Sequence, residues 1–414
     1  MSAQLKHNAA WEASPLAFLS RQFIEGVPKI PQSTNLSGKT ALITGSNVGL
    51  GFESARQLLA LNLSHLIIAV RNQARGDAAT KKLRNEFPDA KIEVSLVDMA
   101  SYQSIQGFVK WCETLPRLDI AILNAGLSRP RFERAEASKH EMTQQINYLS
   151  TALLAILLVP VLKTKRGTSG PAHLGIVGSD MSYWAQWTGT NDSIWDVIDD
   201  PANFSSNAAY QISKLLLIMF VDKLAQHVSP EEVIVNYPNP GACRGTEFGA
   251  DGHRSIVEQV WMAIAKPIVG RTVATGARSY VDAVAVKGKE SHGSFVGEGK
   301  VKPFPVIMYE PTGKKLQETA WKDLMEELSF AKPMEILKGS NYRRNDDLLV
   351  GKPDLLINLF QQRSLLFSLL LIIRSTTRAP PVEILRSPSV EQQIGVTDKC
   401  QENKHAPQQQ EYTE

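Results

Sequence analysis

Tyr210 and Lys214, four residues apart, are the pair of residues with the most chemistry in this chain. On a helix they share one face, one turn apart. A free phenol has a pKa of about 10, too high for rapid two-way proton exchange near neutrality. A neighbouring ammonium favours the phenolate and lowers that value, at about 1.4 kcal/mol per unit. Such a pair suits handing a proton to an oxygen that gains charge, as when hydride adds to a carbonyl. Upstream, the Ser179 hydroxyl can hydrogen-bond the same oxygen and stabilise its developing charge. Nearer the N-terminus lies Gly45-Ser46-Asn47-Val48-Gly49-Leu50-Gly51. Glycines so placed let backbone approach a pyrophosphate, and a helix opening there offers unpaired N–H groups and a positive dipole end. Alone, each signal is weak: a Tyr–Lys spacing arises by chance, and a Gly-rich turn also serves as a plain strand-to-helix connection. Their placement on a fold gives them weight.

Hydrophobic periodicity predicts strands at 40–44, 65–70, 92–97, 118–123, 173–177, 233–237 and 294–301, the last closing the sheet edge. Helices are predicted at 49–62, 74–87, 101–112, 141–162 and 208–227, the third with Ser101 at its N-cap. Continuous apolar strands alternating with helices predict an α/β fold: a doubly wound, Rossmann-type parallel sheet in a single domain. Ligands of such sheets sit outside the carboxyl ends of the strands. Gly45 follows the first strand, Asn124 the fourth, Ser179 the fifth and Pro240 the sixth, so the motifs converge on that edge. The domain is expected over 38–335, after a leader at 1–37 that ends in Val27-Pro28-Lys29-Ile30-Pro31. An irregular, largely disordered C-terminal tail is expected at 336–414, its end rich in Pro, Gln and charge. Two long connections leave the active edge and are candidate substrate segments. One, 180–207, carries Tyr183, Trp184, Trp187, Trp195 and Phe204; the other, 242–274, carries Val260-Trp261-Met262. Their aromatic content implies a sizeable apolar or aromatic small molecule.

Of 414 residues, 43% are hydrophobic and 21% charged, enough for a packed core. The net charge of +3, with no long Lys/Arg run, argues against a nucleic-acid partner. Three separated cysteines, Cys112, Cys243 and Cys400, exclude a disulfide framework or a Cys-rich zinc site. With an N-terminus too polar for a signal peptide, they suit a reducing, cytoplasmic setting. The apolar stretch at 355–373 is interrupted by Asn358, Gln361, Gln362 and Arg363. It falls short of the roughly 20 residues a membrane span needs and reads as a tail segment, not an anchor.

Thr44-Gly45-Ser46-Asn47-Val48-Gly49-Leu50-Gly51, Asn124-Ala125-Gly126, Asn147, Ser179 and Tyr210-Gln211-Ile212-Ser213-Lys214, in that order, resemble the short-chain dehydrogenase/reductase family over roughly residues 36–330. Leu42 to Gly51, Ala69-Val70-Arg71-Asn72 and Glu290-Ser291-His292-Gly293 most resemble fungal oxidoreductases of specialised-metabolite pathways; retinol-dehydrogenase-like members share much of the pattern. The resemblance implies interconversion of a ketone and a secondary alcohol with a nicotinamide cofactor. It implies that Lys214 also holds the nicotinamide ribose and that Asn147 binds a water linking Lys214 to solvent. Ser179 matches the catalytic serine, with Ser182 nearby and Gly178 standing where the family usually has another serine. Asn124 and Gly126 would support the sheet against the cofactor, and Asn239-Pro240-Gly241 would face the nicotinamide carboxamide, with Thr246 a further hydroxyl. Asp98 matches the adenine-side aspartate, though it could equally cap the next helix. Two copies would pair through the helices holding Asn147 and Tyr210.

The residue after the second strand bears on the cofactor. An acid there would bond the ribose hydroxyls and repel a 2′-phosphate. Here Arg71 offers a planar, permanently charged fork, which favours NADP(H). The candidate catalytic set is Asn147, Ser179, Tyr210 and Lys214. The candidate cofactor set is Gly45, Val48, Gly49, Leu50, Gly51, Arg71, Asp98, Asn124, Gly126, Tyr210 and Lys214. Two other readings are a membrane-associated retinoid or lipid reductase and a non-catalytic NADP-binding regulator; the intact catalytic set argues against the second.

Overall fold

Apolar runs dominate the central strands, which are buried on both faces, whereas the edge strands at 91–96 and 300–302 are partly exposed. In β1 (Thr40–Thr44) and β2 (His65–Val70) every residue is buried. A computed structural model describes residues 1–136, 138–189, 192–245 and 266–339. Thr246, Val260-Trp261-Met262 and the tail at 340–414, including 355–373, lie outside the described residues. β3 (Lys91–Leu96), β4 (Ile120–Leu123), β5 (Ala172–Ile176), β6 (Val233–Pro238), β7 (Ser294–Gly297) and β8 (Lys300–Lys302) complete one sheet. Its order is β3-β2-β1-β4-β5-β6-β7-β8, parallel through β7. The strand expected at 294–301 is instead two: Glu298 and Gly299, with φ of 49° and 69°, turn the chain back so that β8 pairs antiparallel to β7. A two-residue turn with both φ positive matches the twist of a hairpin.

Helices cover both faces. α3 (Gly49–Ala60), α4 (Gln73–Glu86) and α8 (Val273–Ala285) lie on one; α5 (Tyr102–Glu113), α6 (Met142–Lys165) and α7 (Ser206–Gln226) lie on the other. Along β1, Leu42 enters the core with α5 to α7, and Ala41 and Ile43 enter the core with α3 and α8. α6 is the one described helix long and apolar enough to cross a membrane, but 89% of its apolar window is buried within the fold. An all-round apolar helix of that kind belongs to a core.

The outer faces of α6 and α7 are covered by α9 (Pro311–Glu327) and α10 (Pro333–Lys338). Tyr148 donates to Ala320 O at 3.0 Å, Gln317 donates to Met219 O at 3.0 Å, and Trp321 stacks on Phe220 and His227. The helices that the resemblance assigned to pairing are therefore packed against their own chain. Leu337 is 1% exposed, so the fold runs past the boundary expected at 335.

The first 37 residues are not a leader outside the domain. The larger compact unit begins at Met1 and takes them in. α1 (Lys6–Glu12), α2 (Pro15–Ser20) and a widened turn at Arg21–Glu25 form an arm across the β7–β8 edge. Ser2 is fully buried: its hydroxyl donates to Lys302 O at 2.5 Å and accepts from Phe295 N at 3.0 Å. The arm reads as polar because its buried groups are charged and paired. Arg21 is 1% exposed against Glu12, and Lys302 bridges Glu12 at 3.0 Å and Glu25 at 2.9 Å.

Candidate active site

Close backbone approach dictates the glycine turn after β1. Gly45 has φ of 64°, and a Cβ on it would lie 3.1 Å from Ala125 Cα. A Cβ on Gly51 would lie 2.5 Å from Gly45 O and 2.6 Å from Asn124 Nδ2. Asn124 Nδ2 donates to Thr44 O at 3.0 Å and Gly45 O at 3.1 Å, and Thr44 Oγ1 accepts from Ala125 N at 3.0 Å. The ends of β1 and β4 are thus tied together. Gly49, with φ of 60°, starts α3; its N-cap Val48 is extended and exposed and supplies no side-chain acceptor, and Leu50 is half-buried behind it. The helix N-terminus keeps its N–H groups and dipole available for an anion.

Arg71 follows β2 and is exposed at the same edge, one residue before the α4 cap Asn72. Asp98 is half-buried; it accepts from Ala100 N at 3.0 Å, whereas the cap of α5 is Ser101, bonded to Ser104 N at 3.2 Å. Asp98 therefore shapes the turn and is not the helix cap.

Asn147 sits in a widened turn of α6, at Gln145–Ser150, a distortion often found at functional positions. Its amide clamps the loop after β4: Oδ1 accepts from Leu127 N at 2.9 Å, and Nδ2 donates to Leu127 O at 2.8 Å and Ser213 Oγ at 3.1 Å. Both amide protons are committed. A Cβ on Gly126 would come 3.1 Å from Asn147 Oδ1.

Tyr210 and Lys214 lie one turn apart on α7, with Lys214 Nζ 5.8 Å from the Tyr210 ring centroid. Lys214 is 6% exposed, and its ammonium donates to Val177 O at 2.9 Å. Burial pushes the ammonium down to about 8. Burial pushes the Tyr210 phenol up to about 12, against a lowering hydrogen bond with the Ser179 side chain. The depression of Tyr210 expected from Lys214 does not outweigh burial in this state. Ser179 is extended after β5, and its Oγ accepts from Met181 N at 3.2 Å.

Sequence reasoning missed Tyr237. Its ring is fully buried, and its hydroxyl donates to Lys214 O at 3.0 Å and accepts from Ser179 N at 3.1 Å. It joins the backbones of the serine and the lysine. It also explains Gly178: a Cβ there would lie 1.9 Å from Tyr237 Cε1. Several aromatic residues of 180–207 have structural partners. Tyr183 donates to Pro303 O at 2.8 Å, Trp184 donates to Ala13 O at 2.8 Å, and Trp195 stacks on His140 at 3.9 Å. Their number therefore does not report substrate size.

The short chain dehydrogenase family model matches residues 39–170. The chain is 44% identical over 339 residues to the short chain dehydrogenase virL of Hypocrea virens, covering 81% of this chain and 98% of that one. It is 43% identical over 326 residues to the short chain dehydrogenase/reductase mfmJ of Annulohypoxylon moriforme, covering 78% and 94%. Among solved structures, the short chain dehydrogenase from Shigella flexneri superposes with a TM-score of 0.50 at 19% identity, covering 65% of this chain and 94% of that one, a likeness of fold. Identity of this level over nearly the whole length of such relatives leaves one assignment: the chain belongs to the short-chain dehydrogenase/reductase family and is an NAD(P)-dependent oxidoreductase.

Proposed function

We propose that this enzyme uses NADP(H) to interconvert a ketone and a secondary alcohol on an apolar or aromatic small molecule, in a specialised-metabolite pathway of the cytoplasm. The observation that carries the reading is the Tyr210–Lys214 pair one turn apart on α7, with the Ser179 side chain near enough to the phenol to offset part of its burial. A carbonyl oxygen at that junction would meet two hydroxyls at once, one to polarise it and one to protonate it. The high phenol pKa keeps Tyr210 protonated, the form a proton donor needs for reduction. Lys214 would hold positive charge beside the phenol and reach the nicotinamide ribose. Asn147 supports both by fixing the loop at Leu127 and the hydroxyl of Ser213. When bound, the cofactor supplies or accepts the hydride.

Gly45, Val48, Gly49, Leu50 and Gly51 would hold the pyrophosphate, with Asn124 and Gly126 behind them and Asp98 on the adenine side. Exposed Arg71 at the β2 edge supports NADP(H) over NAD(H) by offering its fork to a 2′-phosphate. We read the protein as a monomer at the α6–α7 face, because α9 and α10 occupy it. The pathway assignment rests on the likeness to fungal relatives, and the apolar substrate class rests on Val260-Trp261-Met262. A panel of aromatic and aliphatic ketones and secondary alcohols, offered with each cofactor and followed by nicotinamide absorbance, tests the reading. NADPH oxidation with a carbonyl compound, absent in Tyr210→Phe, supports it; turnover that survives Tyr210→Phe refutes it.

A further inference from the structure

We propose that the N-terminal arm, through Arg21 and Gln22, is a positioning element of the active site: it holds the 239–242 turn and the residue behind Ser179, and thereby governs binding of the cofactor's nicotinamide end. The proposal deepens the functional reading above and rests on it, together with the family resemblance, which implies that Asn239-Pro240-Gly241 faces the nicotinamide carboxamide.

Asp180 directly follows Ser179 and is 4% exposed. Its N–H donates to Asn239 Oδ1 at 3.1 Å, and its Oδ1 accepts from Asn239 Nδ2 at 2.7 Å. Asn239 Oδ1 also accepts from Gly241 N at 3.2 Å. The ends of β5 and β6 are therefore locked to each other through one carboxylate and one amide, at the edge where dinucleotides bind. The arm supplies the countercharge. Arg21 Nε lies 3.6 Å from Asp180 Oδ2, its guanidinium lies over the Tyr183 ring at 5.6 Å, and its NH1 donates to Glu12 O at 2.8 Å.

A second strut runs from the neighbouring residue. Gln22 Nε2 donates to Ala242 O at 2.9 Å and to Val269 O at 3.1 Å. Arg271 completes the frame: NH1 donates to Pro240 O at 3.2 Å, and NH2 donates to Arg21 O and Glu298 Oε1, each at 2.6 Å. Gly241, with φ of 70°, has no room for a side chain, since a Cβ would lie 2.6 Å from Gln22 Oε1 and 2.7 Å from Arg271 NH1. Two adjacent arm residues thus hold the site from behind, Gln22 at the turn and Arg21 at Asp180, and buried charges so paired tolerate the loss of a partner poorly.

The test compares Arg21→Ala, Arg21→Lys and Gln22→Ala with Glu25→Ala. Glu25 belongs to the same arm and pairs with Lys302 at 2.9 Å, away from the turn. NADPH affinity is read by nicotinamide fluorescence, affinity for 2′,5′-ADP (the adenosine end alone) by calorimetry, and Tm without ligand by dichroism. Arg21→Ala and Gln22→Ala should weaken NADPH about tenfold or more and leave 2′,5′-ADP within about twofold. Arg21→Lys should recover part of the loss, and Glu25→Ala should lower Tm with NADPH affinity unchanged. Should Arg21→Ala fail to fold, Gln22→Ala and Arg21→Lys carry the comparison. Wild-type NADPH affinity in these variants, or equal loss for NADPH and 2′,5′-ADP, overturns the proposal. Wild-type protein that binds neither NADPH nor NADH overturns the functional reading itself, and the proposal with it.

Discussion

Replacing Gly178 by alanine adds one methyl group to the backbone that carries Ser179. That methyl would sit 1.9 Å from Tyr237 Cε1 and 2.3 Å from Cδ1 and Cζ, so the ring must retreat by roughly 1.5–2 Å to reach ordinary contact. It has nowhere to go. The ring is fully buried, tilts against Phe295 at 5.2 Å, and is held by its hydrogen bonds to Lys214 O and Ser179 N. Overpacking costs about 1–3 kcal/mol, and two strained buried hydrogen bonds add about 1 kcal/mol each, for a total of about 3–5 kcal/mol. Displacing the backbones of Ser179 and Lys214 by about 1 Å should also lower turnover about 100-fold. Urea unfolding of Gly178→Ala, Tyr237→Ala and the double variant, with NADPH turnover on the best substrate of the panel, measures both. Because removing the ring makes room for the methyl, the double variant should be less destabilised than the sum of the singles by about 2 kcal/mol. Gly178→Ala with a stability loss under about 1 kcal/mol and unchanged turnover would refute the reasoning.

Tyr210→Phe should cut turnover about 1000-fold with NADPH affinity unchanged, whereas Lys214→Ala should impair both; fluorescence titration with steady-state rates decides. NADPH should bind more tightly than NADH by about 2–3 kcal/mol, and Arg71→Ala should erase the difference; equal affinities in the wild type would remove the phosphate contact. His140 bonds Asp199 Oδ2 at 2.5 Å and faces Glu327 at 3.6 Å; burial lowers its pKa, but the two carboxylates raise it to about 9. Its folded value exceeds the unfolded one, so its stabilisation is complete below about pH 6.5 and is lost as pH rises through about 9. The stability gap between wild type and His140→Gln should therefore shrink by on the order of 2–3 kcal/mol across that window, and a flat gap contradicts it. A chain ending at residue 339 should stay folded and monomeric by light scattering, whereas one ending at 330 loses buried Pro333 and Leu337 and should be about 2–4 kcal/mol less stable.

The strands before β7 and the helices expected at 49–62, 74–87, 101–112, 141–162 and 208–227 were legible to within three residues, whereas α8, α9 and α10 were not expected. The placement of Tyr210 and Lys214 one turn apart on a helix, and of Ser179 just after the fifth strand, was legible because each follows from a local pattern. The hairpin at Glu298-Gly299 was missed although Gly297-Glu298-Gly299 carries a turn signal, since apolar residues flank it on both sides. The arm was missed for a different reason. Arg21, Glu12 and Lys302 look like a solvated surface in one dimension, and the partner that buries a charge can lie anywhere in the chain. Tyr237 reads as one more apolar strand residue; the task of its hydroxyl depends on where β5 and α7 end up. The aromatic residues of 180–207 misled because a ring that packs on the protein and a ring that packs on a ligand have the same letter.

Ser2 reaches Lys302 O, and Tyr309 OH donates to Ser2 O at 2.6 Å, so the arm docks against residues that follow it in the chain by 300 positions or more. Contacts of such sequence separation close late, because loop entropy must be overcome before they form. Until β7 and β8 emerge, the arm waits undocked, with its apolar residues in solvent and Arg21 apart from Asp180. The enzyme would thus complete its sheet from the glycine turn outward and acquire a working nicotinamide end only once β7 and β8 are in place. Docking of the arm would then time activity, and a fusion ahead of it would burden the slowest step of folding more than the finished protein.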